Sequence, residues 1–211
     1  MSIVYDYFGG LYINMTNKCP NHCEFCIRNF TPRLGDADSL VLKEDPTVEE
    51  VKAELRRWPV SQYGEVVFCG YGEPTERLPE LLEIARFIKA SWGKPIRINT
   101  NGLADLIWKR ETAPDLAGII DSVSVSMNES DDESYNALCH PRFGAGSYDA
   151  IIKYIQDVKQ YVPHVAASVV GGTLSPAHLE ICRQRHSKNY ICVQYSIGFI
   201  VYDRELLIAN C

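Results

Sequence analysis

The sequence predicts an α/β protein built on a parallel sheet, and three observations lead there. Six short apolar or β-branched runs recur along the 211 residues. They are continuous rather than alternating, as expected of strands buried on both faces. Between them lie segments with helical spacing of apolar residues. Such alternation implies parallel strands joined by right-handed crossovers. A complete eight-unit barrel usually takes about 250 residues, with a lower end near 200. Six units in 211 residues therefore imply an incomplete barrel or an open doubly wound sheet. In both, the reactive loops follow the C-terminal ends of the strands. No repeat, low-complexity tract or Gly/Ser linker divides the chain, and residues 1–211 read as one domain.

The expected strands are Leu11–Met15, Glu65–Cys69, Ile96–Asn99, Ser122–Met127, Val165–Val170 and Cys192–Ile200. The first expected helix is Thr47–Trp58, entered through Asp45-Pro46, with Val48, Val51 and Leu55 on one face. Leu78–Trp92 carries Leu81, Leu82, Ala85, Phe87 and Ile88 at helical spacing, and Gly93 stops it. Leu103–Arg110, Ser147–Tyr161 and Pro176–His186 follow the same pattern. The last begins at Ser175-Pro176, an N-cap followed by proline in the first turn.

Composition narrows the function. Hydrophobic residues make up 46% and charged residues 23%, the profile of a globular protein rather than a disordered or fibrous one. The net charge of −6 excludes a generally basic surface that coats nucleic acid. No apolar run reaches the roughly 18 residues of a membrane helix. The run MSIVYDYFGGLYINM has no basic region ahead of a long apolar stretch, so no signal peptide is expected and the cytoplasm is the expected compartment. Eight cysteines are many for such a chain. In a reducing compartment they more often bind metal or do chemistry than form a disulfide framework.

Three of them stand in the loop after the first strand, Cys19-Pro20-Asn21-His22-Cys23-Glu24-Phe25-Cys26, at the spacing C-x3-C-x2-C. Three thiolates this close can converge on one metal centre, and iron–sulfur clusters are held by cysteines at short spacings. Three rather than four leaves one iron of a cubane open to an external donor. A structural zinc site would need a fourth ligand, for which His22 is available by type. A redox pair of Cys23 and Cys26 leaves Cys19 unexplained.

With an aromatic residue before its last cysteine, this loop resembles the signature of the radical S-adenosylmethionine (SAM) superfamily. The stretch LYINMTNKCPNHCEFCIRNF is similar to the TatD-family-associated radical SAM proteins. The resemblance implies a partial (β/α)6 barrel over nearly the whole chain. It implies a [4Fe–4S] cluster on Cys19, Cys23 and Cys26, with the amino and carboxylate groups of SAM on the open iron. Reductive cleavage would then give methionine and a 5′-deoxyadenosyl radical that abstracts hydrogen from substrate. Phe25 would lie near the adenine.

The resemblance also assigns later loops. Gly70-Tyr71-Gly72-Glu73-Pro74-Thr75 is similar to the family's Gly-Gly-Glu-Pro turn, which meets the SAM amino group through backbone and glutamate; Tyr71 stands where a glycine is frequent. Gly72, Glu73 and Pro74 are the implied contacts. Asn99-Thr100-Asn101-Gly102 is similar to a Thr-Asn-Gly at the third strand's end, where Asn99 can face the cofactor or simply serve a turn. In Ser122–Asn128, residues 122, 124, 126 and 128 share one face; Ser126 and Asn128 are candidates for the ribose. Arg142, in the glycine-punctuated loop Cys139–Gly146, can pair with a carboxylate of SAM or substrate. Val169, on the fifth strand before Gly171-Gly172, is a candidate adenine contact, although the glutamate of the family's fuller pattern is absent. Gln194 and Tyr195 are possible pocket residues.

The remaining cysteines form no second C-x-x-C, so no auxiliary cluster is expected. His140, His164, His178 and His186 show no ligand spacing. The resemblance implies an external one-electron reductant of flavodoxin or ferredoxin type. The incomplete barrel implies a mouth wide enough for a larger substrate: a peptide, a partner protein or a nucleic-acid element. The competing class is a non-catalytic iron–sulfur carrier or zinc-stabilised binding module.

Overall fold

The computed structural model describes residues 1–170 and 177–178, and the backbone of 191–194. Seven strands form one sheet: β1 (Val4–Tyr7), β2 (Gly10–Ile13), β3 (Val66–Phe68), β4 (Ile96–Thr100), β5 (Ser122–Ser126), β6 (His164–Val170) and β7 (Ile191–Gln194). They lie side by side in sequence order. From β2 to β7 every pairing is parallel. A doubly wound sheet reverses its strand order at a switch point; this order never reverses. It is the order of a barrel, and the expected six-unit parallel arrangement is present.

The strand β1 was not among the expected elements. It pairs antiparallel with β2, with Tyr7 opposite Gly10. The two residues between them, Phe8 and Gly9, both have positive φ, at 47° and 76°. That is the requirement of a two-residue type I′ hairpin, whose twist matches the strands. The sign of it in the sequence is the aromatic alternation on both sides of Phe8-Gly9.

Five α-helices lie wholly within the described residues: α1 (Val48–Leu55), α2 (Leu78–Trp92), α3 (Ala104–Trp108), α4 (Asp132–Cys139) and α5 (Ser147–Val158). Thr47 caps α1 in a full capping box with Glu50, and Gly93 ends α2 in the left-handed conformation at φ 62°. The helix α4 falls in a stretch where no helix was expected. It is short, and Asp131 starts it by accepting the N–H of Ser134 at 2.8 Å. Asp132 then joins it to α5 by accepting the N–H groups of Gly146 and Tyr148, each at 3.0 Å. The helix expected over 176–186 and the end of the sixth expected strand, including Tyr195, lie outside the described residues, apart from 177–178 and 191–194.

Alternation divides the strands between two layers. Leu11, Ile13, Val66, Phe68, Ile96, Ile98, Val123, Val125, Ala167 and Val169 pack with the helices in the main core. The opposite face of the sheet carries Tyr12, Val67 and Cys69 in a smaller cluster with Tyr5, Ala37 and Leu40. On that inner face Arg97 donates to Glu65 (2.8 Å), to the Tyr12 hydroxyl (3.3 Å) and to Asn99 Oδ1 (3.2 Å). A guanidinium taken this far from water needs such partners.

Candidate functional site

The C-terminal ends of β2 through β5 bring the sequence motifs together. The loop leaving β2 is anchored at once by Asn14. Its Nδ2 donates to Ser2 O and Leu40 O, and its Oδ1 accepts the N–H of Tyr71 at 3.0 Å. Cys19, Cys23 and Cys26, all half-buried, follow on that loop. Phe25, between the last two, packs half-buried against the main core.

The loop is held from two sides. On one side lies the turn after β3. A Cβ on Gly72 would stand 2.4 Å from Lys18 O and 2.5 Å from Thr16 O. Only glycine permits that approach. The next residue, Glu73, donates its N–H to Lys18 O at 2.8 Å. Pro74 is buried and opens a single turn of 3-10 helix capped by the Glu73 side chain. The expected SAM turn and the cysteine loop are thus one packed unit.

The Glu73 carboxylate is buried and heavily used. Oε1 accepts from Thr75 N (3.0 Å), Thr75 Oγ1 (2.7 Å) and Thr100 Oγ1 (2.7 Å), and Oε2 accepts from Asn101 N at 2.7 Å. Burial raises its pKa against the pull of these donors. Asn101, the asparagine of the Thr-Asn-Gly run, also points its Nδ2 at Cys19 Sγ, 3.9 Å away. Asn99 faces the inner side of the sheet, where its Oδ1 is taken by Arg97.

On the other side the loop is strapped to the end of α4. His22 donates its N–H to Cys139 O (3.0 Å) and Glu24 to Leu138 O (3.1 Å). Asn21 Nδ2 donates to the Tyr135 hydroxyl at 2.8 Å, and Arg142 N to Pro20 O at 2.8 Å. The Arg142 guanidinium, expected to face a carboxylate, has one within the chain: Glu76 Oε1 at 3.2 Å.

At the end of β5, Ser126 is half-buried on the inner face beside Ser122 and Ser124. Asn128 is 4% exposed, has φ 60°, and keeps a buried Oδ1 without a hydrogen-bond partner. A buried orphan acceptor of this kind suits a ligand hydroxyl. Beyond it, Glu129 Oε2 lies 3.4 Å from His178 Nδ1, a contact the sequence did not suggest. Val169 departs from expectation: it is 1% exposed within the core between sheet and helices. The strand's alternation turns it away from the inner face, and it has no surface to offer an adenine.

The thiols differ in character. Burial, reinforced by the Glu73 charge, pushes Cys19 up to about 12. Burial also raises Cys26. Cys23 moves the other way, chiefly through the neighbouring Cys139 thiol. Among the described residues no three His, Cys, Asp or Glu side chains are gathered at metal-holding distance. The donor chemistry nevertheless fits an iron–sulfur cluster: three thiols on one loop, with an amide aimed at one of the sulfurs.

A sequence model of the Radical SAM superfamily matches residues 13–184. No curated protein matches the chain. Among solved structures, a radical SAM methyltransferase from Sphaerobacter thermophilus superposes with a TM-score of 0.61 at 17% identity, over 97% of this chain and 63% of that one. Methylornithine synthase (PylB) gives 0.59 at 18%, over 88% and 52%. Native anSMEcpe with bound AdoMet gives 0.54 at 20%, over 91% and 54%. At such identities the likeness is one of fold. The chain spans between about half and 63% of the length of these structures. No helix among the described residues is long and apolar enough to cross a membrane.

Proposed function

The chain belongs to the radical SAM superfamily, and from that premise we propose that residues 1–211 form one radical SAM domain that cleaves SAM reductively and passes the radical to a substrate. The superfamily consists of enzymes that generally use a [4Fe–4S] cluster and SAM. When bound here, the cluster would supply the electron that breaks the sulfonium C–S bond and yields a 5′-deoxyadenosyl radical.

The residues of this chain have the remaining tasks. Cys19, Cys23 and Cys26 would hold the cluster. The backbone of Gly72 and the carboxylate of Glu73 would accept from the SAM amino group, since Oε2 has one donor and room for another. Pro74 fixes that turn, and Phe25 would flank the adenine. Ser126 and Asn128 would bind the ribose, with the orphan Oδ1 of Asn128 taking a hydroxyl. Asn99 and Arg142 lie at the same end of the barrel, engaged with Arg97 and Glu76, and would order the pocket around these contacts. An external one-electron donor of flavodoxin or ferredoxin type would reduce the cluster. The flanks of the cysteine loop favour the TatD-associated subgroup, and the open barrel favours a substrate of some size.

The observation that carries this reading is the lock between the cysteine loop and the Gly72-Glu73 turn. A zinc module or an electron carrier has no use for a second loop packed so closely on its metal loop. Anaerobic reconstitution with iron and sulfide, then dithionite and SAM, tests it. The chain should release 5′-deoxyadenosine, and Cys23→Ala should not. A cluster whose EPR spectrum is unchanged by SAM would overturn the reading.

A further inference from the structure

Cys139 ends α4 with no exposed surface, and no step proposed above uses it. Its thiol neighbours the sulfur of Cys23, 116 residues earlier in the chain, and the two groups shift each other's pKa in opposite directions. The backbones are fixed as well as the side chains. The N–H groups on either side of Cys23 are bonded to the carbonyls of Leu138 and Cys139, at 3.1 and 3.0 Å. These two bonds hold the chain on both sides of Cys23 against the end of α4, and a disulfide needs such neighbouring backbones, with Cα atoms roughly 4.4–6.8 Å apart. Neither neighbour competes on equal terms. Cys19 is turned to the Asn101 amide, and no bond from Cys26 reaches another thiol among the described residues.

We propose that Cys23 and Cys139 form a reversible disulfide in the cluster-free protein, with a low-molecular-weight disulfide such as oxidised glutathione as the oxidant. Half-buried Cys23 is the thiol that a solute can reach; buried Cys139 is not. The Cys23 thiolate attacks the external disulfide and releases one small thiol. Cys139 gives up its proton and displaces the second, closing the protein disulfide. Two cysteines are oxidised by two electrons, and one external disulfide is reduced to two thiols. The consequence rests on the reading of Cys23 as a cluster ligand: the bond withdraws one of three donors, so an oxidised chain cannot accept a cluster until a thiol reductant frees it.

The full chain, purified anaerobically and stripped of iron with a chelator, is incubated with oxidised glutathione and its peptides are mapped without reduction. The Cys23 and Cys139 peptides should appear joined. Iron and sulfide uptake should fall to background and return with dithiothreitol. In Cys139→Ala, Cys23 should stop as the glutathione adduct; in Cys23→Ala, Cys139 should stay unmodified while the fold is intact. Cys23 joined to Cys19 or Cys26, or a Cys139 that remains free in the wild type, would overturn the proposal. A cross-link that forms in a chain whose reduced state takes up no cluster would support the disulfide and refute the cluster reading.

Discussion

The backbone N–H of Asn101 donates to Oε2 of Glu73 across 2.7 Å. This bond joins the loop after β4 to the turn after β3, and the turn in turn packs on the cysteine loop through Gly72 and Glu73 N. Asn101 closes the circuit through its side chain, which points at Cys19 Sγ. Three successive strand ends are thus coupled through one residue, Glu73, by its backbone N–H and its buried carboxylate. The site's geometry depends on Glu73 whether or not its side chain ever touches a cofactor.

Glu73→Ala should therefore destabilise the fold as well as the site. It removes the acceptor for two backbone N–H groups and two hydroxyls. A buried donor left without a partner costs about 1–3 kcal/mol. The loss in urea unfolding should exceed about 2 kcal/mol on that scale. Glu73→Gln keeps the oxygen that serves Thr75 and Thr100 but turns an NH2 toward Asn101 N, and should fall between the two.

Asn101→Ala keeps the backbone bond to Glu73 and removes the amide near Cys19. Hydrogen bonds to cluster sulfurs help set the reduction potential, because they stabilise the more negative, reduced form. The loaded variant should be harder to reduce, with a potential shifted to more negative values in an EPR-monitored titration. An unmoved potential would mean that the amide does not reach the ligand sulfur once the cluster is bound.

What the sequence revealed of this site was local. The cysteine spacing, the Gly72-Glu73-Pro74 turn and the start and stop of α2 are carried by neighbours in the chain. The Asn101–Glu73 bond spans 28 residues and exists only because β3 and β4 pair in parallel register. Cys139 meets Cys23 because α4 runs back to the cysteine loop, and α4 escaped notice as a short helix with only Tyr135 and Cys139 fully buried. Val169 shows the converse fault. It stands at the right strand end, but the sequence does not fix which alternate residues of a strand buried on both sides face inward.

Gly72→Ala and Gly93→Ala separate close approach from backbone strain. At Gly72 the added carbon meets two backbone oxygens at 2.4 and 2.5 Å, which cannot move without shifting the cysteine loop. Overpacking of this kind costs about 1–3 kcal/mol, and iron uptake should fall with it. At Gly93 the carbon meets nothing within 4 Å, and only the left-handed conformation at φ 62° is penalised. That costs roughly 1–2 kcal/mol and should leave iron uptake at the wild-type level.

Asp131 tests whether α4 governs the cysteine loop from its far end. Its carboxylate caps the helix by accepting Ser134 N, with the Ser130 and Ser134 hydroxyls alongside. The Ser134 N–H, ahead of these hydroxyls, holds the Asp131 pKa below the usual carboxylate value. A carboxylate whose folded pKa is depressed stabilises the fold above the unfolded pKa, near 3.9 for Asp, and loses that contribution as pH falls through the folded value. Asp131→Ala should cost about 0.5–2 kcal/mol at neutral pH, as lost N-caps do. Its deficit against the wild type should shrink as pH drops below about 4. Asp131→Asn, which retains an acceptor without the charge, should be less affected. Fraying of α4 also loosens the carbonyls of Leu138 and Cys139 that hold His22 and Glu24. Amide exchange at these two residues should therefore quicken in Asp131→Ala at neutral pH, while β3 and β4 keep their protection. Exchange at His22 and Glu24 equal to the wild type would show that the cysteine loop keeps its shape without the helix, and that its restraint comes from the Gly72-Glu73 side alone.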